Sequence, residues 1–297
     1  MADESLIATG LVKRYGSVTA LDEFQLTVAP GEIVGLVGAN GSGKTTFVEV
    51  VTGLTQADRG EVRVLGIDIR RRPRDARRHI GFTPQDISLY YSATPRENLR
   101  LFGGLVGLRG AALTGAMTEA IAEMQLDAVL DRPVGLLSGG QQRRVQVATA
   151  MLGKPALMLL DEPTAGADPP TRQALLAAVR KRAEAGAAVV YTTHYLPELS
   201  DLDATLAVIR GGRVVARGDQ ATLLSGLVGE LRVRLAGAVS DRLRERGEVV
   251  DGELRIPCAD PAQTLAELLA DGQVPLSVDV RKPSLDDLYQ ALEVSRP

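Results

Sequence analysis

The segment GANGSGKT, Gly38 to Thr45, sets glycines at 38, 41 and 43 ahead of a lysine and a hydroxyl. Gly38, Gly41 and Gly43 let the backbone take conformations closed to other residues. The loop's N–H groups can then wrap a phosphate, and the helix that follows adds its positive end. Lys44 supplies a mobile charge for β- and γ-phosphates, and the Thr45 hydroxyl is a magnesium ligand. The context fits: an apolar run, Glu32 to Val37, precedes the loop, and a helical stretch, Thr45 to Leu54, follows it. In isolation the segment also fits a plain glycine-rich turn.

LMLLDE, Leu157 to Glu162, is an apolar strand ending in two carboxylates. Strand alternation puts Asp161 and Glu162 on different sides, so they can hold different jobs. Asp161 suits magnesium, through water, and Glu162 suits a general base on an attacking water. His194 follows the apolar strand AAVVYTTH and can bond a γ-phosphate and hold that water in line. Gln85, in GFTPQD, can reach magnesium or the water. Tyr15 can stack on adenine. Taken singly, each has an ordinary reading: an acidic surface turn, a structural histidine, a loop glutamine, a hairpin tyrosine.

LSGGQ, Leu137 to Gln141, offers the Ser138 hydroxyl and two glycines at a helix start, an anion site. Ser138 and Gln141 also form a capping box, and the two readings are compatible. The chain's cradle already surrounds its own nucleotide. A second anion site is most useful if it closes on the γ-phosphate of a partner subunit. The motifs together point to two copies closing over ATP.

Elements must deliver these groups. Leu6 to Val28 reads as short strands and Gly60 to Ile69 as a hairpin. Thr94-Pro-Arg-Glu97 starts a helical stretch to about Leu130, interrupted at Gly103 to Gly110. A helix over Gln142 to Leu152 follows the signature. A strand (Ala156 to Leu160), a helix (Pro170 to Glu184) and a strand (Ala187 to Thr192) then alternate, which predicts a parallel sheet. Ligands gather at the carboxyl ends of such strands. After about Ser225 the pattern resets into a small α/β appendage, ending in a predicted helix PSLDDLYQALE.

The chain has 297 residues and a net charge of −3, which gives no reason to expect nucleic-acid binding. The basic run Arg70 to His79 reads as a solvated surface arm. A single cysteine, Cys258, rules out an internal disulfide framework and fits a reducing compartment. The acidic N-terminus is no secretory signal. No run approaches the roughly 18 apolar residues that span a bilayer. A cytosolic chain is expected, with any membrane role through a partner.

With these motifs in this order, Leu6 to Leu224 resembles the nucleotide-binding subunit of an ATP-binding cassette (ABC) transporter. The resemblance implies an α/β P-loop cassette. It has a RecA-like parallel sheet, an antiparallel β subdomain and a helical signature subdomain at about 94–152. Residues 1–224 would be the nucleotide-binding domain and 225–297 an accessory domain. It implies Gly38 to Thr46 (including Ala39, Asn40, Ser42 and Thr46) as Walker A, Tyr15 on adenine and Gln85 as the Q-loop glutamine. Ser138, Gly139, Gly140 and Gln141 match the signature, Asp161 the Walker B aspartate, Glu162 the base and His194 the switch histidine. AGADP, with Asp168, resembles the D-loop, although Ala165 and Ala167 depart from its commoner Ser and Leu. Magnesium and ATP are implied. Also implied are a second cassette, identical or different, and a membrane permease that receives the chain at the inner face of the membrane. Asp86 to Tyr91, with Tyr90 and Tyr91, is where that permease would dock. The ending resembles drug-resistance exporters of the daunorubicin type. An importer ATPase, or a soluble cassette ATPase without a transport role, is the alternative.

Overall fold

The computed structural model describes residues 4–225, 227–237, 239, 241–284, 287–288 and 290–291. The chain divides into two compact units, Met1–Asp219 and Gln220–Pro297. The division lies ahead of the expected step at Leu224/Ser225, because the short helix Gln220–Leu224 goes with the second unit.

In the first unit, β1 (Leu6–Tyr15), β2 (Val18–Val28) and β3 (Ile33–Val37) lead to helix α1 (Lys44–Thr52). Next come β4 (Arg59–Val64), β5 (Ile67–Asp68), α2 (Pro73–Arg77) and β6 (Ile80–Thr83). Three helices follow: α3 (Pro95–Leu105), α4 (Gly110–Glu123) and α5 (Gly139–Met151). The unit closes with β7 (Leu157–Asp161), α6 (Pro169–Glu184), β8 (Ala188–Thr192), α7 (Pro197–Asp201), β9 (Thr205–Arg210) and β10 (Arg213–Gly218).

The central sheet runs β10-β9-β3-β8-β7-β6 and is parallel apart from β10. Every residue of β3, β7 and β8 is buried, as expected where both faces of a parallel sheet are covered. A second, antiparallel sheet runs β2-β1-β4-β5. One apolar cluster joins the two sheets through α1. Phe24 of β2 lies against Phe47 of α1 with ring centroids 4.5 Å apart. The α/β architecture with its antiparallel companion sheet is the one expected.

Helix starts follow local chemistry. Thr94 caps α3 and Ser138 caps α5, each in a reciprocal capping box. Asp168 caps α6 by accepting from the Thr171 N–H at 3.0 Å. The basic run is not wholly a solvated arm. It folds into α2, and Arg77 donates to the carbonyls of Thr52 (2.9 Å) and Gly53 (2.8 Å) at the end of α1.

The second unit comprises α8 (Gln220–Leu224), β11 (Gly229–Leu235), α9 (Asp241–Arg244), β12 (Glu248–Val250), β13 (Glu253–Cys258), α10 (Pro261–Ala270) and β14 (Pro275–Arg281). Its antiparallel sheet, β12-β13-β11-β14, has its own apolar core, which includes Leu231, Leu254, Leu268 and Cys258. Of the expected closing helix, 283–293, the structure describes 283–284, 287–288 and 290–291, and 287–288 and 290–291 are helical.

Glu32 fixes the entry to β3. Burial pushes its carboxyl up. Hydrogen bonds from the Ala29 N–H, the Thr205 hydroxyl and the Arg217 guanidinium outweigh burial and hold it below its ordinary value. A carboxylate depressed on folding stabilises above its unfolded pKa of about 4.3 and loses that contribution as pH falls through the lower folded value. Glu32→Gln should therefore cost on the order of 1 kcal/mol at neutral pH and flatten the acid side of the stability profile. Urea denaturation across a pH series checks both effects.

Candidate functional site

β3, β7 and β8 end side by side, and the loops beyond them form one cleft. Leu36 pairs with Thr192, and Thr192 with Asp161. The cleft, of about 480 Å³, is lined by Asn40, Gly41, Gly43, Lys44, Thr45, Thr46, Gln85, Asp161 and Glu162, with Val18 and Ala20 of β2 beside them.

Its floor is the start of α1. The N-cap there is Gly43, and no side chain caps the helix. The first N–H groups of α1 therefore lack intrahelical partners and face the cleft with the positive end of the helix dipole. By contrast, α3, α5 and α6 are each closed by their own N-cap side chain. Gly43 sits at φ 111, and a Cβ there would lie 2.4 Å from the Ala20 carbonyl. A Cβ on Gly38 would meet Ser42 Oγ at 2.5 Å and the Ile209 carbonyl at 2.6 Å. The loop is thus pressed too tightly on β2 and β9 for side chains at these points. Lys44 Nζ donates to the carbonyls of Gly38 (2.6 Å) and Ala39 (3.1 Å), which hold the ammonium over the loop. Burial pulls its pKa down, against the attraction of Glu162 and Asp161.

The two carboxylates are fixed differently. Asp161 ends β7 and is buried. Its Oδ1 accepts from the Thr192 hydroxyl, and its Oδ2 from the Thr45 hydroxyl at 3.3 Å. Glu162 is not the next residue of the strand. It has a φ of 46, in the left-handed region, and its N–H is held by the Thr192 carbonyl (3.1 Å) and hydroxyl (3.0 Å). A non-glycine residue held there costs roughly 1–3 kcal/mol and survives only where its surroundings impose it. The left-handed turn, rather than the strand alternation expected from sequence, aims Glu162. Its Oε2 accepts from Gln85 Nε2 at 3.3 Å and lies 3.3 Å from His194 Nδ1.

Gln85, Glu162 and His194 are therefore together, as are Lys44, Thr45 and Asp161. Tyr15 and the signature residues stand apart from the cleft lining. The Tyr15 ring is half exposed, with Lys13 Nζ 5.1 Å from its centroid. Ser138 and Gly139 are exposed. The Ser138 hydroxyl accepts from the Gln141 N–H at 3.3 Å, and Gln141 Oε1 accepts from the Ser138 N–H at 3.0 Å.

Two residues that the motifs do not mark hold the Q-loop. Arg143, on α5, donates to the Gln85 carbonyl at 2.7 Å and the Pro84 carbonyl at 3.3 Å. Gln146, one turn on, donates to the carbonyls of Pro84 (3.2 Å) and Asp86 (2.8 Å) and accepts from Arg143. Arg143 is buried. Desolvation lowers its pKa, against Asp86 and Glu162, yet a guanidinium stays charged. Arg143 stands in the polar run Gln141 to Arg144 and Gln146 just after it, so no local signal sets the two apart in the sequence.

Phosphates fit the uncapped helix start and Lys44. The facing Thr45 hydroxyl and Asp161 carboxylate are hard oxygen donors of the kind magnesium takes. Among the described residues no group of three His, Cys, Asp or Glu side chains gathers for a metal.

The family described as ABC transporter matches residues 21–165. The chain is 36% identical to the daunorubicin resistance ATP-binding protein DrrA2 of Streptomyces coeruleorubidus, over 96% of this chain and 94% of that protein. It is 34% identical to the Nod factor export ATP-binding protein I of Sinorhizobium fredii, over 98% of this chain and 86% of that one. The solved dimeric structure of MJ0796, a bacterial ABC transporter cassette, superposes with a TM-score of 0.66 and 26% identity. The superposition covers 72% of this chain and 98% of that one.

The Arg143 clamp yields a direct expectation. Arg143→Met should leave ATP affinity within about twofold, since no cradle group changes, and lower kcat roughly tenfold by letting Gln85 drift. Equilibrium binding of a fluorescent ATP analogue, set beside steady-state phosphate release, separates the two effects.

Proposed function

The chain belongs to the ATP-binding cassette transporter family, and from that premise we propose that it powers a separate membrane-spanning exporter of drug-, antibiotic- or lipid-like molecules. It is an ATP-binding, ATP-hydrolysing protein of that family. The observation that carries the rest is the convergence of Gln85, Glu162 and His194 on one oxygen beside the phosphate cradle, while Ser138 stays outside the cleft.

In this reading Lys44 and the start of α1 bind the β- and γ-phosphates. Thr45 and Asp161 hold magnesium, which neutralises charge on the phosphate oxygens when bound. Gln85 contributes to the same site. Glu162 polarises the attacking water as general base, and His194 holds it in line. Tyr15 stacks on adenine. Ser138 and the N–H groups of Gly139 and Gly140 meet the γ-phosphate held by a second cassette, so two chains close over two nucleotides. Asp168 lies at that dimer seam. Nucleotide binds the closed dimer better than the open one, and that difference is what can drive a permease.

The exposed Tyr90 and Tyr91, just past Gln85, support docking of the permease beside the Q-loop. Among the described residues no helix is long and apolar enough to cross a membrane, and in this reading the spanning part is a separate permease. The same reading puts the chain peripherally on the inner face of the membrane, beside that permease. Export is favoured over import by the names of the relatives, which concern daunorubicin resistance and Nod factor export. Residues 94–152 act as the helical arm and the second unit as an accessory domain.

Mild-detergent purification of the tagged chain from its native cells should recover a multi-span membrane protein in stoichiometric amount. A chain that returns alone or with ribosomes argues against the transport role. Lys44→Ala should lose ATP binding. Glu162→Gln should keep it, lose turnover by at least about 100-fold, and run as an ATP-dependent dimer on size exclusion. An active Glu162→Gln protein would sink the assignment of the base.

A further inference from the structure

Among the described residues, Glu198 is a buried charge that the mechanism above does not use. Glu198, in α7, has a relative exposure of 1%, and its carboxylate is fully engaged. Oε1 accepts from the Thr164 hydroxyl at 2.7 Å and pairs with Arg172 Nε at 3.1 Å. Oε2 accepts from the Tyr191 hydroxyl at 2.9 Å and the Thr193 hydroxyl at 3.0 Å. Burial first, and the Glu198 charge second, push the Tyr191 phenol far up, so it remains a hydroxyl donor.

These donors stand on the loops that matter. Thr193 immediately precedes His194, and its hydroxyl also accepts from the Tyr195 N–H at 2.9 Å, which fixes the turn that presents the histidine. Thr164 lies between Glu162 and Asp168. Its carbonyl accepts from the Ala167 N–H at 2.9 Å and shapes the D-loop turn. Arg172 sits one turn into α6, the helix capped by Asp168, and its guanidinium stacks 4.7 Å from the centroid of the Tyr195 ring. A buried carboxylate is expensive to leave unpaired, so these partners are held together.

We propose that Glu198 is a positioning residue whose carboxylate locks the His194 loop and the 162–168 loop into one unit, so that the D-loop and the histidine move together. This rests on the ATPase site proposed above. It assigns to the chain a mechanical link between the dimer seam and the histidine beside Glu162. Glu198 is not among the residues that line the cleft, and its carboxylate accepts from Thr164, Tyr191 and Thr193. Its role is therefore exerted through Thr193 and Thr164.

The test uses the full-length chain and Glu198→Gln, which keeps shape but removes the charge and one acceptor oxygen. ATP affinity is expected to stay within about twofold, while kcat falls roughly 10- to 100-fold, the cost of misplacing a reacting group. The Glu198→Gln, His194→Ala double variant should be no slower than His194→Ala alone, because the two act through one group. Thr193→Val should reproduce the loss and Thr193→Ser recover most of it. Independently of turnover, backbone hydrogen exchange in Glu198→Gln should rise at both 163–168 and 193–196 and stay unchanged across 38–46. Exchange that rises at one loop only, a kcat equal to that of the parent, or losses that multiply in the double variant would each overturn the link. A parent chain without ATP turnover in any preparation would count against the proposed function, while the exchange measurement still decides the coupling.

Discussion

The in-register pairing of β3, β8 and β7, with Leu36 opposite Thr192 and Thr192 opposite Asp161, brings the ends of these strands to one level of the sheet. β6 joins them, with Thr83 opposite Leu160, two residues before Gln85. A shift of one pair between β3, β8 and β7 would carry Asp161 away from Thr45. The apolar packing of the strands enforces the register, since every residue of β3, β7 and β8 is buried and has only one place to go. Thr192 shows how closely chemistry is tied to that register. One hydroxyl serves the Asp161 carboxylate and the Glu162 N–H at once. It sets both the magnesium candidate and the left-handed turn that aims Glu162.

From that level outward, the loops are held by polar side chains reaching from neighbouring helices. Arg143 and Gln146 hold the Q-loop from α5, and Glu198 holds the loops after β7 and β8 from α7. Each grips backbone or hydroxyl groups rather than a nucleotide. Glu162 Oε2 lies where these held loops meet, between Gln85 and His194. A movement of α5 against the sheet would therefore reach Gln85 directly. Coupling of this kind needs elements with two arrangements that nucleotide can bias, and the Q-loop and histidine loop each reach the same oxygen from a different element.

The motif residues and the long periodic elements were legible in the sequence because their signals are local: glycine spacing, capping boxes, buried apolar runs. The holding residues were not. Glu198 follows Leu196-Pro197 at a helix start and reads as an ordinary exposed acid of a first turn. Its burial arises only because α7 folds back across the end of β8 and the start of α6. Arg77 reads as one more cation in a basic run until α2 brings it to the end of α1. Glu162 read as the next step of a strand, since nothing in LMLLDE announces a left-handed residue. β6, with four residues, is too short to stand out beside the hairpins and helices around it.

The helix N-termini differ in which donors they leave free. α1 starts without a capping side chain and leaves its donors to the chain's own cleft. The capping box of α5 satisfies the N–H groups of Ser138 and Gln141. The N–H groups of Gly139 and Gly140, between them, have no intrahelical acceptor, and Gly139 has open space on its Cβ side. This helix carries its own capping box yet keeps two donors and an exposed hydroxyl free of the chain's own cradle. A monomer has no use for that arrangement at its own phosphates. A second cassette facing it would supply the γ-phosphate these donors suit, and Asp168, already fixed as the cap of α6, would sit beside the seam with its loop tied to His194 through Glu198. The same buried carboxylate would then make the histidine responsive to whether the second cassette has arrived.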